Sequence, residues 1–317
     1  MKLRYLFPVL LILSFTSLFV GVSDIRPWEL FQLTEDQAEI MRISRIPRLI
    51  SIIIAGVGMS VIGLIMQQLT RNKFVSPTTA GTTDSASLGV LMAMIIIPGA
   101  SPLVKIVIAF AFAMAGTLVM IRIMERLRYR DPILVALVGL MFGSIVGSAT
   151  TFLALKYNLM QSVGSWLNGD FSSILKGRYE MLYISIPLIL LAYLFADRFT
   201  IAGMGESFAV NLGLNYRQVM RIGLAIVALV SAVILLTVGS LPFLGLIIPN
   251  LVSLYKGDHL RSSLAHTALL GAIFVLGCDI LGRIVIYPFE VPIGLVVGVL
   301  GSGIFLYLLL RRRAAHD

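Results

Sequence analysis

Apolar stretches long enough to cross a lipid bilayer recur along this 317-residue chain. A membrane-spanning helix needs about 20 apolar residues, because the hydrocarbon core of a bilayer is about 30 Å thick. Only 13% of the residues are charged, whereas soluble domains carry about 25%. Polar side chains could not cover so apolar a chain in water, so lipid is its expected solvent. We predict an all-α polytopic membrane protein with about ten transmembrane helices, which form one transmembrane domain over residues 1–317.

Short loops separate the predicted spans, and no loop is long enough to form a soluble domain. The N-terminal apolar run lacks an obvious signal-peptide cleavage site, so we interpret it as a retained first helix. A short helix is expected around Gln161–Leu167, and Ala196–Arg221 is too polar to span the membrane. The predicted spans are Tyr5–Val22, Pro47–Leu69, Thr83–Ile97, Val104–Met124, Pro132–Leu155, Tyr179–Phe195, Ile222–Val238, Phe243–Tyr255, Leu264–Ile286 and a tenth that ends at Leu310.

The distribution of basic residues predicts the orientation of the chain. Ten spans place both termini on the same side, and cytoplasmic loops carry an excess of lysine and arginine. With the termini inside, 16 of the 25 basic residues lie on the cytoplasmic side and the other 9 lie outside. The same bias accounts for the net charge of +9 without a nucleic-acid partner. The chief exceptions fall outside, against the trend, and need a local reason: Arg42, Arg45, Arg48 and Arg283.

The sequence lacks the motifs of several catalytic classes. It contains no G-x-x-x-x-G-K-[ST] phosphate loop, no H-E-x-x-H and no G-x-S-x-G. Its single cysteine, Cys278, and its three histidines form no metal-binding pattern. We therefore expect a chain that is not an enzyme and that has no cofactor and no metal site.

Two acidic residues fall within predicted spans, where a carboxylate is costly and suggests a function. Asp279 lies four residues before Arg283, so the two can pair on one helix face. We favour that pairing over a proton relay. The sequence does not indicate a role for Asp84.

The fifth predicted helix carries glycines at four-residue spacing, among them Gly139, Gly143 and Gly147. Such stripes allow helices to pack closely in lipid, so packing alone explains each glycine. The alternative is that the hydroxyl side chains beside them line a polar translocation path, together with Asn250 of the eighth helix. A hydrogen bond between helices would explain Asn250 equally well. The hydroxyl residues are Ser144, Ser148, Thr150 and Thr151.

Four blocks of sequence resemble one family, the FecCD-type permeases of ABC importers for iron siderophores, heme and vitamin B12. They fall in the family's order and extend from Arg45 to near the end of the chain. Asn250, where many members have histidine, and Asp84 are most similar to the subgroup that serves catecholate siderophores, such as petrobactin. The blocks are RIPRL from Arg45 with GVGMSVIGLIMQQLTRNKFVSPTTAG from Gly56, GESFAVNLG from Gly205, LPFLGLIIPN from Leu241 with GDH from Gly257, and Gly271–Arg283 with FEVPIG from Phe289.

The resemblance implies a type II ABC importer permease fold in a bacterial plasma membrane. It also implies a second permease subunit, identical or not, a pair of cytoplasmic ATPases, and an extracytoplasmic substrate-binding lipoprotein that delivers ferric siderophore. The stretch after the sixth helix would be the coupling helix that contacts the ATPase, with Leu212 as its apolar anchor. Its residues are Gly205, Glu206, Ala209, Leu212 and Gly213.

Arg45, Arg48 and Arg283 would form the outer dock for acidic residues of the binding protein, because guanidinium groups pair bidentately with carboxylates. Arg45 and Arg48 could instead pair with acidic residues of their own loop, namely Glu35, Asp36 and Glu39. Two alternatives to siderophore import also remain at this point. One is a heme or cobalamin importer of the same family, and the other is an ion-coupled secondary transporter.

Overall fold

The computed structural model describes residues 3–21, 26–29, 34–127, 131–257 and 259–313. Within these ranges the chain is all-helical and contains no strand. The α-helices in chain order are α1 (Leu3–Phe19), α2 (Glu35–Ile40), α3 (Ile46–Thr70), α4 (Thr82–Ile96), α5 (Pro102–Arg126), α6 (Pro132–Lys156), α7 (Met160–Asn168), α8 (Ser185–Leu194), α9 (Ala196–Gly203), α10 (Glu206–Asn211), α11 (Tyr216–Thr237), α12 (Leu244–Lys256), α13 (Leu260–Ile284) and α14 (Ile293–Arg313).

Each predicted span corresponds to a helix in the described ranges. A π-helical turn joins α2 to α3, so that Glu35–Thr70 is one helix of 36 residues. This helix and α5, α6, α11 and α13 are each long and apolar enough to cross a membrane. Glu180–Leu194 and Ala196–Gly203 form a further pair, bent by 62°. The apolar helices α1, α4, α12 and α14 are shorter. The chain is thus a multi-pass membrane protein.

Two helices begin earlier than their hydropathy predicts. We expected spans from Ile222 and Leu264, but α11 and α13 start at Tyr216 and Leu260. In each case a polar residue caps the helix: the side chain of Asn215 accepts from the Gln218 amide, and that of His259 accepts from the Ser262 amide. The capping bonds satisfy amides that have no partner within the helix. These first turns were predicted as loops because charged and polar residues predominate there, such as Arg217 and Gln218 in α11 and Arg261 and Ser262 in α13.

Some predicted boundaries fall where the structure gives no description. Val22, the predicted end of the first span, lies outside the described residues, whereas α1 itself ends at Phe19. Of the basic residues counted for orientation, Lys2, Arg128 and Arg130 also lie outside them.

The long helix α3 lies at the centre of the bundle, where most of its side chains are buried. Glycines allow α12 and α13 to approach it closely. A Cβ atom added at Gly63 would collide with the Gly245 carbonyl, and one added at Gly271 would collide with the Ser60 hydroxyl. Close packing of this kind drives helices to associate in lipid, where the hydrophobic effect does not. In contrast, α5 and α6 lie at the periphery and expose most of their surface.

Candidate functional site

Four charged side chains meet where α3 begins and α13 ends. Arg48 donates from Nε at 3.2 Å and from Nη2 at 2.8 Å to one carboxylate oxygen of Asp279. Its Nη1 donates to Glu290 at 2.7 Å, and the second carboxylate oxygen of Asp279 accepts from Arg283. Asp279 therefore bridges two arginines, and its side chain is 1% exposed. Such charge-assisted bonds fix the relative positions of α3 and α13.

Arg283 and a third arginine, Arg45, bond to the end of α1. Arg283 donates from Nη1 to the carbonyl oxygens of Ser17 at 2.9 Å and Val20 at 2.8 Å. Arg45 donates to the carbonyl oxygen of Leu18 at 2.5 Å. The last carbonyls of a helix lack partners within the helix, and positive charge at that end is favourable. The two guanidinium groups thus cap α1 and tie it to α3 and α13.

The structure brings the three predicted docking arginines together at one end of the bundle. Arg45 and Arg283 are buried, with 8% and 5% exposure, so in this conformation both groups serve contacts within the chain. The pairing of Asp279 with Arg283, predicted from their spacing, is confirmed. The alternative for Arg48 was a pairing with acidic residues of its own loop, but its partners here are Asp279 and Glu290. Sequence reasoning missed Glu290 as a partner, although it lies in a family-like block.

At the other end of α3, a buried loop connects three helices. The side-chain amide of Asn250, in α12, donates to the Lys73 carbonyl at 2.8 Å and to the Leu246 carbonyl at 2.7 Å. Asn72 donates to the Pro132 carbonyl at 3.0 Å, where α6 begins. Asn250 is 6% exposed. The side-chain amide of Asn250 therefore holds the loop to α12. This role is close to the hydrogen bond between helices that the sequence analysis gave as the alternative to a translocation path.

The predicted path residues of α6 satisfy their own hydrogen bonds. Ser144, Ser148 and Thr151 each donate a hydroxyl to the carbonyl four residues earlier, at 2.8–3.0 Å. Ser144 and Ser148 are exposed, and α6 is among the least buried of the spans. The face that they share is uncovered by the rest of this chain, so a second subunit or a polar path has access to it.

The predicted coupling segment lies at the end of α3 opposite to Arg48. A Cβ atom added at Gly205, just before α10, would be 3.2 Å from the guanidinium of Arg71, just after α3. Because α3 has 25 residues, it is about 37 Å long at 1.5 Å per residue. We call Arg45, Arg48 and Arg283, with Asp279 and Glu290, the arginine cluster. This cluster and α10 are thus separated by roughly the thickness of a membrane.

The short helix α10 exposes apolar side chains outside the bundle. Phe208, Val210 and Leu212 are 47%, 56% and 60% exposed, whereas Ala209 is fully buried and packs against the chain itself. Glu206 is exposed in the first turn. Gly213 follows with φ of +77°, a conformation that favours glycine, and nothing lies within 4 Å of a Cβ atom added there. Exposed apolar patches occur both at partner surfaces and where a membrane protein faces lipid.

Known proteins resemble this chain over nearly its whole length. Residues 9–311 match the FecCD transport family. The petrobactin import system permease protein YclN of Bacillus subtilis (strain 168) is 61% identical over 314 residues, which cover 99% of each chain. The ferric-anguibactin transport system permease protein FatD of Vibrio anguillarum is 41% identical and covers 93% of this chain and 94% of its own.

A solved structure of a metal-chelate type ABC transporter, in an inward-facing conformation, has the same fold. It aligns with a TM-score of 0.81 at 20% identity and covers 97% of this chain and 98% of that one. The family match covers nearly the whole chain, and the relatives align over nearly their full lengths. The chain therefore belongs to the FecCD transport family.

Proposed function

We propose that this chain is the transmembrane permease subunit of an ABC importer that moves ferric siderophore, of the catecholate or petrobactin type, into the cytoplasm. The observation that carries the proposal is the 61% identity to a petrobactin import permease over 99% of both chains. Two chains that are this similar over their whole lengths share one architecture. A second petrobactin permease, FatD of Bacillus anthracis, is 38% identical over 96% of this chain.

Energy would come from a separate pair of cytoplasmic ATPases, because the sequence has no phosphate-loop motif of its own. The proposed contact is α10 with the residues that flank it, from Gly205 to Gly213. Exposed Leu212, with Phe208 and Val210 beside it, would enter an apolar groove of the ATPase. The permease would then contribute a change of conformation rather than chemistry.

A second permease subunit would cover the open face of α6. Beside that face is an apolar cavity of about 500 Å³, lined in part by Leu137, Leu140, Phe243 and Phe305. Ser144, Ser148 and Thr151 lie on the same helix, and we propose that they line the path between the two subunits. Asn250 would contribute at the inner end, where it holds the loop after α3.

The arginine cluster is the proposed dock for the binding lipoprotein. Arg48 and Glu290 are its most accessible members, with side chains 13% and 28% exposed. An acidic residue of the binding protein would take the position of Glu290 on Arg48, while Arg45 and Arg283 hold the ends of the helices together beneath. Contacts of this kind govern the rate of encounter and weaken with salt.

The proposed location is the bacterial plasma membrane, with both termini in the cytoplasm. The excess of basic residues on the proposed inner side supports this orientation. In this proposed orientation the arginine cluster would lie outside and α10 inside, where the proposed partners would bind.

The test is uptake in cells that have this permease and its partner subunits as their sole iron importer. Growth under iron limitation is measured with one iron source at a time: a ferric catecholate, a ferric hydroxamate or heme. Cobalamin contains no iron, so its uptake is measured separately. We expect growth on catecholates that is lost on deletion of this chain and restored by its return. Growth restored by heme alone, or by no siderophore, would contradict the proposal.

A further inference from the structure

Three consecutive residues at the end of α3 contact three different parts of the molecule. The guanidinium of Arg71 lies 3.2 Å from the position that a Cβ atom would take at Gly205, just before α10. The side-chain amide of Asn72 donates to the Pro132 carbonyl, in the first turn of α6. The carbonyl of Lys73 accepts a hydrogen bond from α12. These three residues therefore connect the predicted coupling helix with α6 and α12.

Hydrogen bonds on both sides fix the backbone of Arg71 and Asn72. Arg71 is in the left-handed conformation, with φ of +51°, and its amide donates to the Gln68 carbonyl at 3.1 Å. The Asn72 amide donates to the Gln67 carbonyl at 3.0 Å, and its side-chain oxygen accepts from the Phe74 amide at 2.9 Å. Closely packed segments transmit a displacement because they have little room to absorb it. We therefore expect the two residues to move together.

The loop 72–81, which continues from this point to α4, is largely buried and packs between α6 and α12. A Cβ atom added at Gly139 of α6 would collide with the Thr79 carbonyl oxygen. One added at Gly245 of α12 would lie 3.4 Å from the ring of Pro77. Both helices also line the apolar cavity beside the proposed subunit interface. A shift of the loop would thus reach the helices that border this cavity.

Arg71 also lies where α10 meets α11. It lines a cavity of about 250 Å³ together with Tyr216, the first residue of α11. Glu206, in the first turn of α10, acts electrostatically on the same tyrosine, as does Arg71 with the opposite sign. Opposite charges so placed attract each other, which favours contact between the end of α3 and the start of α10.

We propose that Arg71 and Asn72 are positioning residues that transmit the movement of α10 to α6. Arg71 follows the start of α10, and the side-chain amide of Asn72 carries the displacement to the first turn of α6. The inference rests on the proposed function, in which α10 contacts the ATPase and α6 borders the translocation path. Coupling between distant sites is carried by packed and hydrogen-bonded contacts, and these two residues supply such contacts from α10 to α6.

The test measures import per ATP hydrolysed, in the complete transporter reconstituted with its binding protein and a ferric catecholate. The variants are Arg71→Ala, Arg71→Lys, Asn72→Ala and the double alanine variant. The Arg71 side chain is exposed, so its replacement keeps the test valid even if Asn72→Ala does not fold. Thr117→Val is the matched control, because it removes a buried hydrogen bond between α5 and α4 and leaves residues 71–73 unchanged.

We expect each single alanine variant to lower import per ATP by at least about fivefold, the lower end of the usual range for coupled sites. ATP hydrolysis itself should persist. Because the two residues act in series, the double variant should lose no more than the more severe single variant, whereas independent defects would multiply. Arg71→Lys keeps the positive charge and should restore part of the loss, and Thr117→Val should stay within about twofold of the unaltered transporter.

Three results would overturn the proposal while import itself stands. They are an unchanged ratio of import to ATP in either folded alanine variant, an equal fall in Thr117→Val, and a loss in the double variant that is the product of the single losses. If the unaltered transporter hydrolyses ATP but imports no catecholate complex, the proposed function fails as well.

Discussion

Replacement of Asp279 by alanine probes the charged cluster at its centre. The change removes the carboxylate that bridges Arg48 and Arg283 and leaves the Arg283 side chain, 4% exposed, without its counter-ion. Loss of one partner of a buried ion pair costs about 3–5 kcal/mol. Arg283 keeps its bonds to Ser17 and Val20, so we expect the lower end, about 3 kcal/mol in the free energy of unfolding.

Glu290→Gln is the matched control in the same cluster. The side chain of Glu290 is 28% exposed, and a glutamine can still accept a hydrogen bond from Arg48. Exposed ion pairs contribute about 0–1 kcal/mol, so the expected loss is below about 1 kcal/mol. The difference between the two variants follows from burial, because both remove one negative charge beside Arg48.

The assay is thermal unfolding of the purified chain, followed with a dye that reacts with thiols. Cys278 is the only cysteine and is buried, so its thiol becomes reactive when the bundle opens. We expect the Tm of Asp279→Ala to fall by about 6–12 °C, and that of Glu290→Gln by no more than about 4 °C. If the two variants unfold at the same temperature, the account of Asp279 as the buried bridge is wrong.

Three further predictions concern the proposed sites. Leu212→Glu should change the Tm by less than about 2 °C, because the side chain is exposed. The same change should abolish transport-coupled ATP hydrolysis in the complete transporter, and normal coupling would show that α10 is not the contact with the ATPase. A cysteine at Ser144 should react with a water-soluble thiol reagent in at least one nucleotide state, while one at buried Thr150 should not; equal protection of both would place the path elsewhere. Asn250→Ala should cost about 1–3 kcal/mol, because it removes the buried hydrogen bonds from Asn250 to the Lys73 and Leu246 carbonyls, and an unchanged Tm would contradict this.

The positions of the helices could be predicted because lipid imposes a simple requirement. A span must be apolar over about 20 residues and must satisfy its backbone internally, so hydropathy alone locates it. The ends of the helices are harder to predict, because a polar cap such as Asn215 lets α11 begin before the apolar run. The bend of 62° between α8 and α9 also has no signal in hydropathy.

Contacts within the site were also predictable only in part. The spacing of Asp279 and Arg283 predicted their pairing, because residues four apart lie on one helix face. In contrast, Arg48 and Asp279 are 231 residues apart, and only the packing of α3 against α13 brings them together. Sequence reasoning likewise assigned Ala209 to a partner surface, since it could not show that α10 turns this residue inward.

Uptake by the purified transporter tests the central claim most directly. This chain, its partner permease and the ATPases are reconstituted in liposomes with the binding protein and a radioactive ferric catecholate. The account predicts accumulation that requires ATP on the side of α10, and that stops when the ATPases are left out. Accumulation driven by a proton or sodium gradient without ATP would contradict it and would identify an ion-coupled transporter instead.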